Sequence, residues 1–374
     1  MLCRFSGTII RLGRGIDMAA WSIGTKVVVD PLISCMVTNK CNACASGHRN
    51  RCPKINFIVD RKGGGLAEYV TIDVQHVHKI PDTLSLEIAA CIEPIAVAWH
   101  AVKRAKFNKG DTALILGGGP TALFVLRILR SVSPSSFILL SDANPTRRSL
   151  AFKHGATEVL DPEHTHFGVT GIIYKATGGF GVHAVFDTLG VQSSVDAALL
   201  CLRTGGTLVN MVMWKKNVMM NMNFLFKEII VTGAMAYDND HPEVIEAIAS
   251  GQIQGIEELI TDKIQIEDVV RKGYMTLLNQ GDEHVKILVR PHEPPPPSEE
   301  ASAKEMTNDK EAGDEASQSI STGSLKSGRE DKKPAAETVK RNPSAVSSIP
   351  ITTRLIERRP KLSSIRTNFV ELVE

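Results

Sequence analysis

One stretch of the sequence decides the fold, Thr112-Ala113-Leu114-Ile115-Leu116-Gly117-Gly118-Gly119-Pro120-Thr121-Ala122. Its pattern is that of a short apolar strand, a turn of three glycines and the start of a helix. A dinucleotide pyrophosphate binds backbone amides at a helix N-terminus and requires that no Cβ stand in its way. We therefore predict that Gly117 permits the tight turn and that Gly119 lets the backbone approach the phosphates. Pro120 suits the first helical position, where no N–H is needed, and Ala122 is small enough for the helix to pack on the strand.

An acidic residue closes the next predicted strand, Phe137-Ile138-Leu139-Leu140-Ser141-Asp142. A carboxylate at this point accepts hydrogen bonds from both ribose hydroxyls and repels a 2′-phosphate, so Asp142 favours NAD over NADP. Arg147 and Arg148 lie five and six residues further along the chain and leave NADP as an alternative. Arg147 is therefore included among the candidate cofactor-binding residues. An incidental glycine turn is the remaining interpretation of the motif.

Short apolar runs alternate with helical stretches over residues 106–254, and this pattern predicts a Rossmann-type, doubly wound parallel sheet with helices on both faces. Residues 1–105 are richer in turns and short β segments, and we expect a compact β-rich domain there. A last predicted strand at residues 285–290 indicates that residues 255–291 complete this domain. The fold class is thus α/β with a second, β-rich domain.

The composition changes after residue 291. Residues 292–374 begin with four prolines within the first six positions and contain a single aromatic residue, Phe369. Such a segment cannot bury enough apolar area to offset its chain entropy, so we predict a disordered C-terminal tail. A basic run from Arg354 to Lys361 leaves open that the tail docks on an acidic partner.

Composition also limits the functional classes. The chain has 374 residues with 43 Lys and Arg against 41 Asp and Glu, a net charge of +2, which argues against a nucleic-acid partner. No apolar run is long enough to span a bilayer, so no membrane association is expected. The first residues lack the pattern of a secretory signal, so we expect a cytoplasmic protein in a reducing compartment.

Four of the seven cysteines lie within an interval of eighteen residues. Cys41, Cys44 and Cys52 have the spacing C-x2-C-x7-C, and the short first interval lets one turn present two sulfurs to a metal ion. Cys35 is the candidate fourth ligand. Thiolates in such a cluster predict a closed, structural Zn²⁺ site, and a set of free thiols is the alternative.

The order of further motifs resembles a known family, the zinc-containing medium-chain alcohol and polyol dehydrogenases, and within it the butanediol and sorbitol dehydrogenases. The motifs are Phe5-Ser6-Gly7-Thr8-Ile9, the cysteine cluster, Gly63-Gly64-Gly65-Leu66-Ala67-Glu68-Tyr69-Val70, Glu93-Pro94-Ile95-Ala96-Val97-Ala98-Trp99-His100, the glycine turn, Gly181-Val182-His183-Ala184-Val185-Phe186-Asp187, Gly190-Val191-Gln192 and Glu283-His284-Val285-Lys286-Ile287-Leu288-Val289. They extend over residues 5–291.

The resemblance implies a GroES-like catalytic domain interrupted by an NAD-binding domain, with the active site in the cleft between them. It also implies oxidation of a secondary alcohol, vicinal diol or polyol, in which a catalytic Zn²⁺ polarises the alcohol oxygen and hydride passes to NAD. Glu93 would be a catalytic residue, either as a ligand of that zinc ion or as a close neighbour of its ligands. A helix N-terminal acid stabilised by the helix dipole is the alternative role for Glu93. The family also commonly forms homo-oligomers.

The sequence departs from the family pattern at its start. When the chain is aligned with the family through Phe5, the family's second zinc ligand, a histidine, falls at Cys3. The glutamate beside that histidine falls at Arg4. The family's first ligand cysteine lies upstream of Met1, so the chain resembles an N-terminally truncated member. Two hypotheses follow: an NAD-dependent zinc-type dehydrogenase, or a catalytically impaired relative that binds NAD(H) and structural zinc as a binding or regulatory module.

Overall fold

The structure, a computed structural model, describes residues 4–37, 40–59, 64–163 and 168–291 and the backbone of residues 362–372. They belong to one of the two units into which the chain divides, and the other unit, Pro294–Arg359, lies outside the described residues. The strands are β1 Phe5–Leu12, β2 Lys26–Val29, β3 Leu32–Ile33, β4 Asn56–Phe57, β5 Tyr69–Asp73, β6 Val77–Lys79, β7 Ala113–Leu116, β8 Ile138–Ser141, β9 Glu158–Leu160, β10 Val182–Asp187, β11 Leu202–Asn210, β12 Ile230–Gly233, β13 Ile260–Gln265, β14 Lys286–Arg290 and β15 Leu362–Leu372. The α-helices are α1 Asn42–Ala45, α2 Leu86–Ala90, α3 Ile92–Ala105, α4 Pro120–Val132, α5 Pro145–Lys153, α6 Gly168–Ala176, α7 Gln192–Cys201, α8 Asn223–Phe226, α9 His241–Ala249 and α10 Met275–Gln280.

A six-stranded parallel sheet forms the centre of the predicted nucleotide-binding domain. Its strand order is β12-β11-β10-β7-β8-β9, and every neighbouring pair is parallel. Strands β7 and β8 are buried along their whole length, as expected for strands covered on both faces. The predicted doubly wound fold is confirmed. Because the chain winds outward from β7 to one side and then from β10 to the other, the carboxyl ends of β7 and β10 flank the crevice where such sheets bind ligands.

The second sheet gathers the β-rich parts of the chain. Its order is β13-β14-β15-β1-β2-β6, and β5 pairs with β15 alongside this path. Strand β14 supplies the predicted late strand, and its residues Ile287–Val289 are fully buried. The predicted division into residues 1–105 with 255–291, and 106–254, stays a prediction.

The structure corrects the prediction of a tail that is disordered to its end. Residues 362–372 form strand β15, which pairs antiparallel with β1, β5 and β14. The physical reason is that β1, β5 and β14 each present unpaired backbone groups that one extended segment can satisfy. Composition alone did not reveal this, since the strand lies far along a polar segment. Residues 292–361 lie outside the described residues.

Helix α3 connects the two sheets through the main hydrophobic core. Residues of β2, α3, β7 and α4 share one cluster of buried side chains, which includes Val28, Ile95, Ile115 and Leu123. The start of α3 is thereby fixed against the parallel sheet. Among the described residues, none of the helices combines the length and the apolar character needed to cross a membrane.

Candidate functional site

The first two glycines of the turn are required by close packing. Gly117 has a φ of +98°, a left-handed conformation, and a Cβ there would collide with the side chain of Thr188. A Cβ on Gly118 would lie 3.0 Å from the Cβ of Arg147. These two positions therefore let β7 turn sharply into α4.

Gly119 has a different environment, which fits a ligand. It precedes α4, and a Cβ built on it would meet no atom within 4 Å. Pro120 is the first residue of α4, and Ala122 is fully buried against the sheet, as the motif predicts. The first amides of a helix have no intrahelical acceptor, so the open space beside Gly119 suits a pyrophosphate.

The carboxylate of Asp142 lies directly at this turn. Its Oδ2 accepts the N–H of Gly118 at 2.7 Å, and its Oδ1 accepts the N–H of Asn144 at 2.7 Å. The side chain is buried, 7% exposed, at the carboxyl end of β8. The structure thus brings together the two halves of the predicted coenzyme site, the glycine turn and the acid.

The two arginines after Asp142 have protein partners. The guanidinium of Arg147 binds Asp282 at 3.0 Å. Arg148 donates to the carbonyls of Asp142 and Ala143, both at 2.7 Å. Arg147 adjoins the glycine turn through its Cβ, while its charge is engaged by Asp282.

The four cysteine sulfurs of the Cys loop, residues 35–52, lie within 4.8 Å of one another. The Sγ atoms of Cys35 and Cys44 are 3.6 Å apart, and those of Cys41 and Cys52 are 3.9 Å apart. Four sulfurs at about 2.3 Å from a tetrahedral zinc ion would be about 3.8 Å from one another. The cluster therefore fits Zn²⁺ with all four predicted ligands.

The backbone around the cluster favours the thiolate form that binds metal. Burial by itself would raise the pKa of the Cys52 thiol, but the N–H groups of Cys35 and Lys54 point at its sulfur, each at 3.4 Å, and the pKa falls to about 7. Helix α1 presents Cys44, and a turn after it returns the chain to Cys52. Local turns thus supply the ligands, as in other closed zinc sites.

Glu93 lies in the first turn of α3, 4% exposed. Its carboxylate forms an ion pair with the guanidinium of Arg4, the residue that replaces the family's acid. Cys3 lies outside the described residues. Within the described part of the chain, Glu93 belongs to no group of three potential metal ligands.

A second cation lies near this ion pair. Lys286 of β14 is fully enclosed, and burial together with the charge of Arg4 lowers its pKa to about 7, although Glu93 opposes the shift. Its Nζ lies 5.2 Å from the ring centre of Phe124. Two basic side chains beside one carboxylate disfavour the binding of a divalent cation there. The described residues around Glu93 do not fit a catalytic zinc ion.

A further group of potential ligands consists of Asp30, His78 and His241. The two imidazole rings are stacked, 4.9 Å between centroids and 8° from parallel. Lone pairs that lie in two parallel ring planes cannot both point at one ion between the rings. The Arg49 guanidinium also lies 3.7 Å from Asp30. We interpret the group as packing between a β-rich strand and α9.

A cavity of about 380 Å³ opens at the carboxyl edge of the parallel sheet. Asn210 and Gly233, the last residues of β11 and β12, line it. The remaining walls come from the Cys loop, α3 and the two segments after these strands, through Asn50, Arg51, His100, Arg104, Met211, Val212, Met213, Ala234 and Met235. Asn210 and Gly233 could have been predicted as residues of a ligand site, because ligands bind at the carboxyl ends of the strands in such sheets. Asn50 and Arg51 carry no sequence signal, because only the folding of the Cys loop brings them there.

His100 illustrates a residue whose environment the sequence did not show. A surface position is the ordinary expectation for such a histidine, but His100 is buried, 6% exposed. Its Nδ1 lies 3.1 Å from the fully buried carboxylate of Asp240, which also accepts a hydrogen bond from Lys103 at 2.9 Å. The expectation was wrong because α3 packs against α9 on this side.

Comparison with known proteins agrees with this architecture. A family model described as alcohol dehydrogenase GroES-like domain matches residues 1–82, and one described as zinc-binding dehydrogenase matches residues 135–250. The chain is 34% identical over 307 residues to probable diacetyl reductase ((R)-acetoin forming) 2 of Saccharomyces cerevisiae, over 77% of this chain and 72% of the relative. It is 30% identical over 290 residues to sorbitol dehydrogenase of Bacillus subtilis, over 77% of this chain and 79% of the relative.

Among solved structures, the chain is similar to 2R,3R-butanediol dehydrogenase from Bacillus subtilis. The TM-score is 0.70 at 31% sequence identity, and the match covers 77% of this chain and 80% of the other. Alcohol dehydrogenase TADH from Thermus sp. ATN1 has a TM-score of 0.68 at 22% identity, which shows the shared fold.

Proposed function

Because this chain belongs to the zinc-containing medium-chain alcohol and polyol dehydrogenase family, we propose that it is an oxidoreductase that binds NAD(H) at the glycine turn. Its substrate would be a small secondary alcohol, vicinal diol or polyol, as the names of the butanediol and sorbitol dehydrogenases suggest. The observation that carries the proposal is the open space beside Gly119 at the start of α4, next to Gly118, whose N–H binds the carboxylate of Asp142. A homo-oligomeric state stays a prediction from the resemblance.

The chain's own residues have separate parts in this proposal. The first amides of α4 would bind the pyrophosphate, and Asp142 would accept hydrogen bonds from the ribose. The bound coenzyme supplies the hydride acceptor. The cavity at the carboxyl edge would receive the nicotinamide and the substrate, with Met211 and Met235 excluding water and Asn210 offering polar contacts.

We propose zinc binding only at the Cys loop. The four sulfurs of Cys35, Cys41, Cys44 and Cys52 would hold a structural ion that fixes the loop. At Glu93 the described residues do not fit a metal ion, so no catalytic step is assigned to zinc.

A second function is favoured by the ion pair between Arg4 and Glu93. In that case the chain binds NAD(H) and structural zinc but does not turn over alcohols. The guanidinium occupies the charge position that a zinc ion would need, and the carboxylate is neutralised by it. This form would be a coenzyme-binding or regulatory module with the family's fold.

One set of measurements on the full chain distinguishes these possibilities. Titration calorimetry with NADH and NADPH reports coenzyme binding, elemental analysis reports zinc per chain, and absorbance reports oxidation of 2,3-butanediol or sorbitol. Binding of NADH with turnover supports the dehydrogenase. Binding of NADH with one zinc per chain and no turnover supports the binding module. No heat from either coenzyme with folded protein would overturn both.

A further inference from the structure

The Cys loop contacts the segment after β12 through the residues between Cys44 and Cys52. We call residues 235–241 the docking segment. The contacts are His48 Nδ1 to Asp238 Oδ2 at 2.5 Å, Arg51 Nη2 to Asp238 Oδ2 at 3.9 Å, Asn50 Nδ2 to the Met235 carbonyl at 2.9 Å and Asn239 Nδ2 to the Gly47 carbonyl at 3.1 Å. Asn50 is 3% exposed, so its bond to Met235 is shielded from water. Breaking such a bond would leave buried polar groups without partners, which is costly.

The docking segment is also held from its other end by the β-rich sheet. Tyr237 donates its hydroxyl to Asp30 Oδ1 at 2.8 Å. His241, at the start of α9, stacks on His78 of β6. The segment is therefore fixed at both ends by residues that precede the parallel sheet in the sequence.

The backbone of the docking segment shows why these contacts are needed. Ala236 and Asn239 have φ values of +49° and +61°, in the left-handed region that residues with a Cβ rarely adopt. Such conformations persist where surrounding contacts over-determine them. Since the contacts at Met235, Asp238 and Asn239 come from the Cys loop, this loop contributes to holding the strained segment.

The docking segment and the Cys loop share the walls of one cavity. Met235 lines the cavity from one side, and Asn50 and Arg51 line it from the other. Within the segment, the Asp240 carboxylate lies 3.1 Å from Nδ1 of His100 of α3, which also lines the cavity. A change in the position of the docking segment therefore changes the cavity at the carboxyl edge of the sheet.

We propose that the Cys loop is a latch, in which the metal ion bound by its four cysteines holds Gly47–Arg51 against the docking segment and keeps the cavity in its coenzyme-binding shape. Residues 45–51 lie between two of the ligands, Cys44 and Cys52, so the ion determines how His48 and Asn50 are presented. Without the ion the loop loses its cross-link, because none of the four cysteines forms a disulfide with another described residue. Its effect on coenzyme affinity rests on the proposed function, whereas its effect on the docking segment does not.

Hydrogen exchange of the full chain tests the latch directly. Zinc is removed with a chelator and its release is counted with a colorimetric indicator, while exchange is followed by mass spectrometry. Zinc removal is expected to speed exchange of the amides of residues 235–241 at least several-fold and to weaken NADH binding several-fold. Unchanged exchange in this segment after complete zinc release would overturn the proposal.

A variant that keeps the four cysteines tests the contact between the Cys loop and the docking segment without removing zinc. Asp238→Asn removes the negative charge that pairs with His48 and Arg51 but touches neither the cysteines nor the glycine turn, and Asp82→Asn makes the same chemical change at an exposed site. Asp238→Asn should keep its zinc and yet show faster exchange at 235–241 and weaker NADH binding, while Asp82→Asn should match the unchanged chain. Wild-type exchange in Asp238→Asn would overturn the latch. If zinc-loaded protein binds no NADH at all, the proposed function fails and the latch is judged on exchange alone.

Discussion

Asp142 uses both carboxylate oxygens within the protein, through the N–H groups of Gly118 and Asn144. Each oxygen has a second lone pair, so the same carboxylate can still accept bonds from a ribose. We expect Asp142→Ala to weaken NADH binding about tenfold, or ~1.4 kcal/mol, and to reduce the preference for NADH over NADPH. Titration calorimetry with both coenzymes measures the two effects, and Asp262→Ala on the partly exposed β13 is the control. Unchanged NADH affinity and unchanged preference would show that Asp142 does not contact the ribose.

Gly118 and Gly119 are adjacent, but substitution should lower the melting temperature only at Gly118. A side chain at Gly119 enters open space, so Gly119→Val is expected to fold with a nearly unchanged melting temperature and to lose detectable NADH binding. A side chain at Gly118 meets Arg147 at 3.0 Å, so Gly118→Val is expected to lower the melting temperature as well. Thermal unfolding followed with and without NADH checks both variants. NADH stabilisation that survives in Gly119→Val would contradict the site.

Single residues differ in how far the sequence predicts them. Gly117, Gly119 and Asp142 are predictable because a turn and its ligand demand particular residue types at fixed spacing. The Cys loop is predictable for the same reason, since zinc requires thiolates within short reach. His100 is not, because its burial depends on how α3 meets α9, a contact between residues far apart in sequence.

At the scale of elements, β14 carries a lysine into the core beside α3. Burial and the charge of Arg4 lower the pKa of Lys286 to about 7 in the folded chain, against about 10.4 in an unfolded one. Between these two pH values the unfolded chain holds a proton that the folded chain lacks, so this group makes the free energy of unfolding rise with pH. Below pH 7 the Lys286 amine is protonated in both the folded and the unfolded chain. Its contribution to the free energy of unfolding is then independent of pH and is at its least favourable.

The variant Lys286→Met tests this account of β14. We expect it to be more stable than the unchanged chain at pH 7, with a difference that shrinks as the pH approaches about 10. Urea unfolding at several pH values in this range measures the difference, and Lys263→Met on the exposed side of neighbouring β13 is the control. A difference that is independent of pH would mean that the amine is charged in the folded chain throughout.

Elements are predictable where local pattern and tertiary environment agree. Strands β7 and β8 are almost entirely apolar, and the structure confirms them, since burial on both faces imposes that composition. Strand β15 could not be predicted in this way, because its pairing depends on β1, β5 and β14, which lie at least 70 positions earlier in the chain.

At the scale of the whole molecule, β15 joins three parts of the β-rich sheet. One of its sides pairs with β1 along most of its length, and the other pairs first with β5 and then with β14. Without it, the described pairing leaves three pieces: β13 with β14, β5 alone, and β1 with β2 and β6. The β-rich sheet is therefore continuous only through residues 362–372 of the same chain.

Removal of this strand is the sharpest test at this scale. A chain ending at residue 361 exposes the edges of β1, β5 and β14, so we expect a melting temperature lower by about 10 °C and self-association through the open edges. The control deletes residues 299–352 and keeps β15; the sixteen residues left between positions 291 and 362 can span about 50 Å, enough to reach the strand's place.

A peptide of residues 360–374 added to the shortened chain should restore the melting temperature and the monodisperse elution. A peptide of the same composition in scrambled order should not, because the residue order that sets the register of pairing with β1, β5 and β14 is lost. Differential scanning calorimetry and size-exclusion chromatography with light scattering give both readouts. If the shortened chain melts and elutes like the full one, then β1, β5 and β14 do not depend on β15, and the sheet must be held together by the packing of its buried face alone.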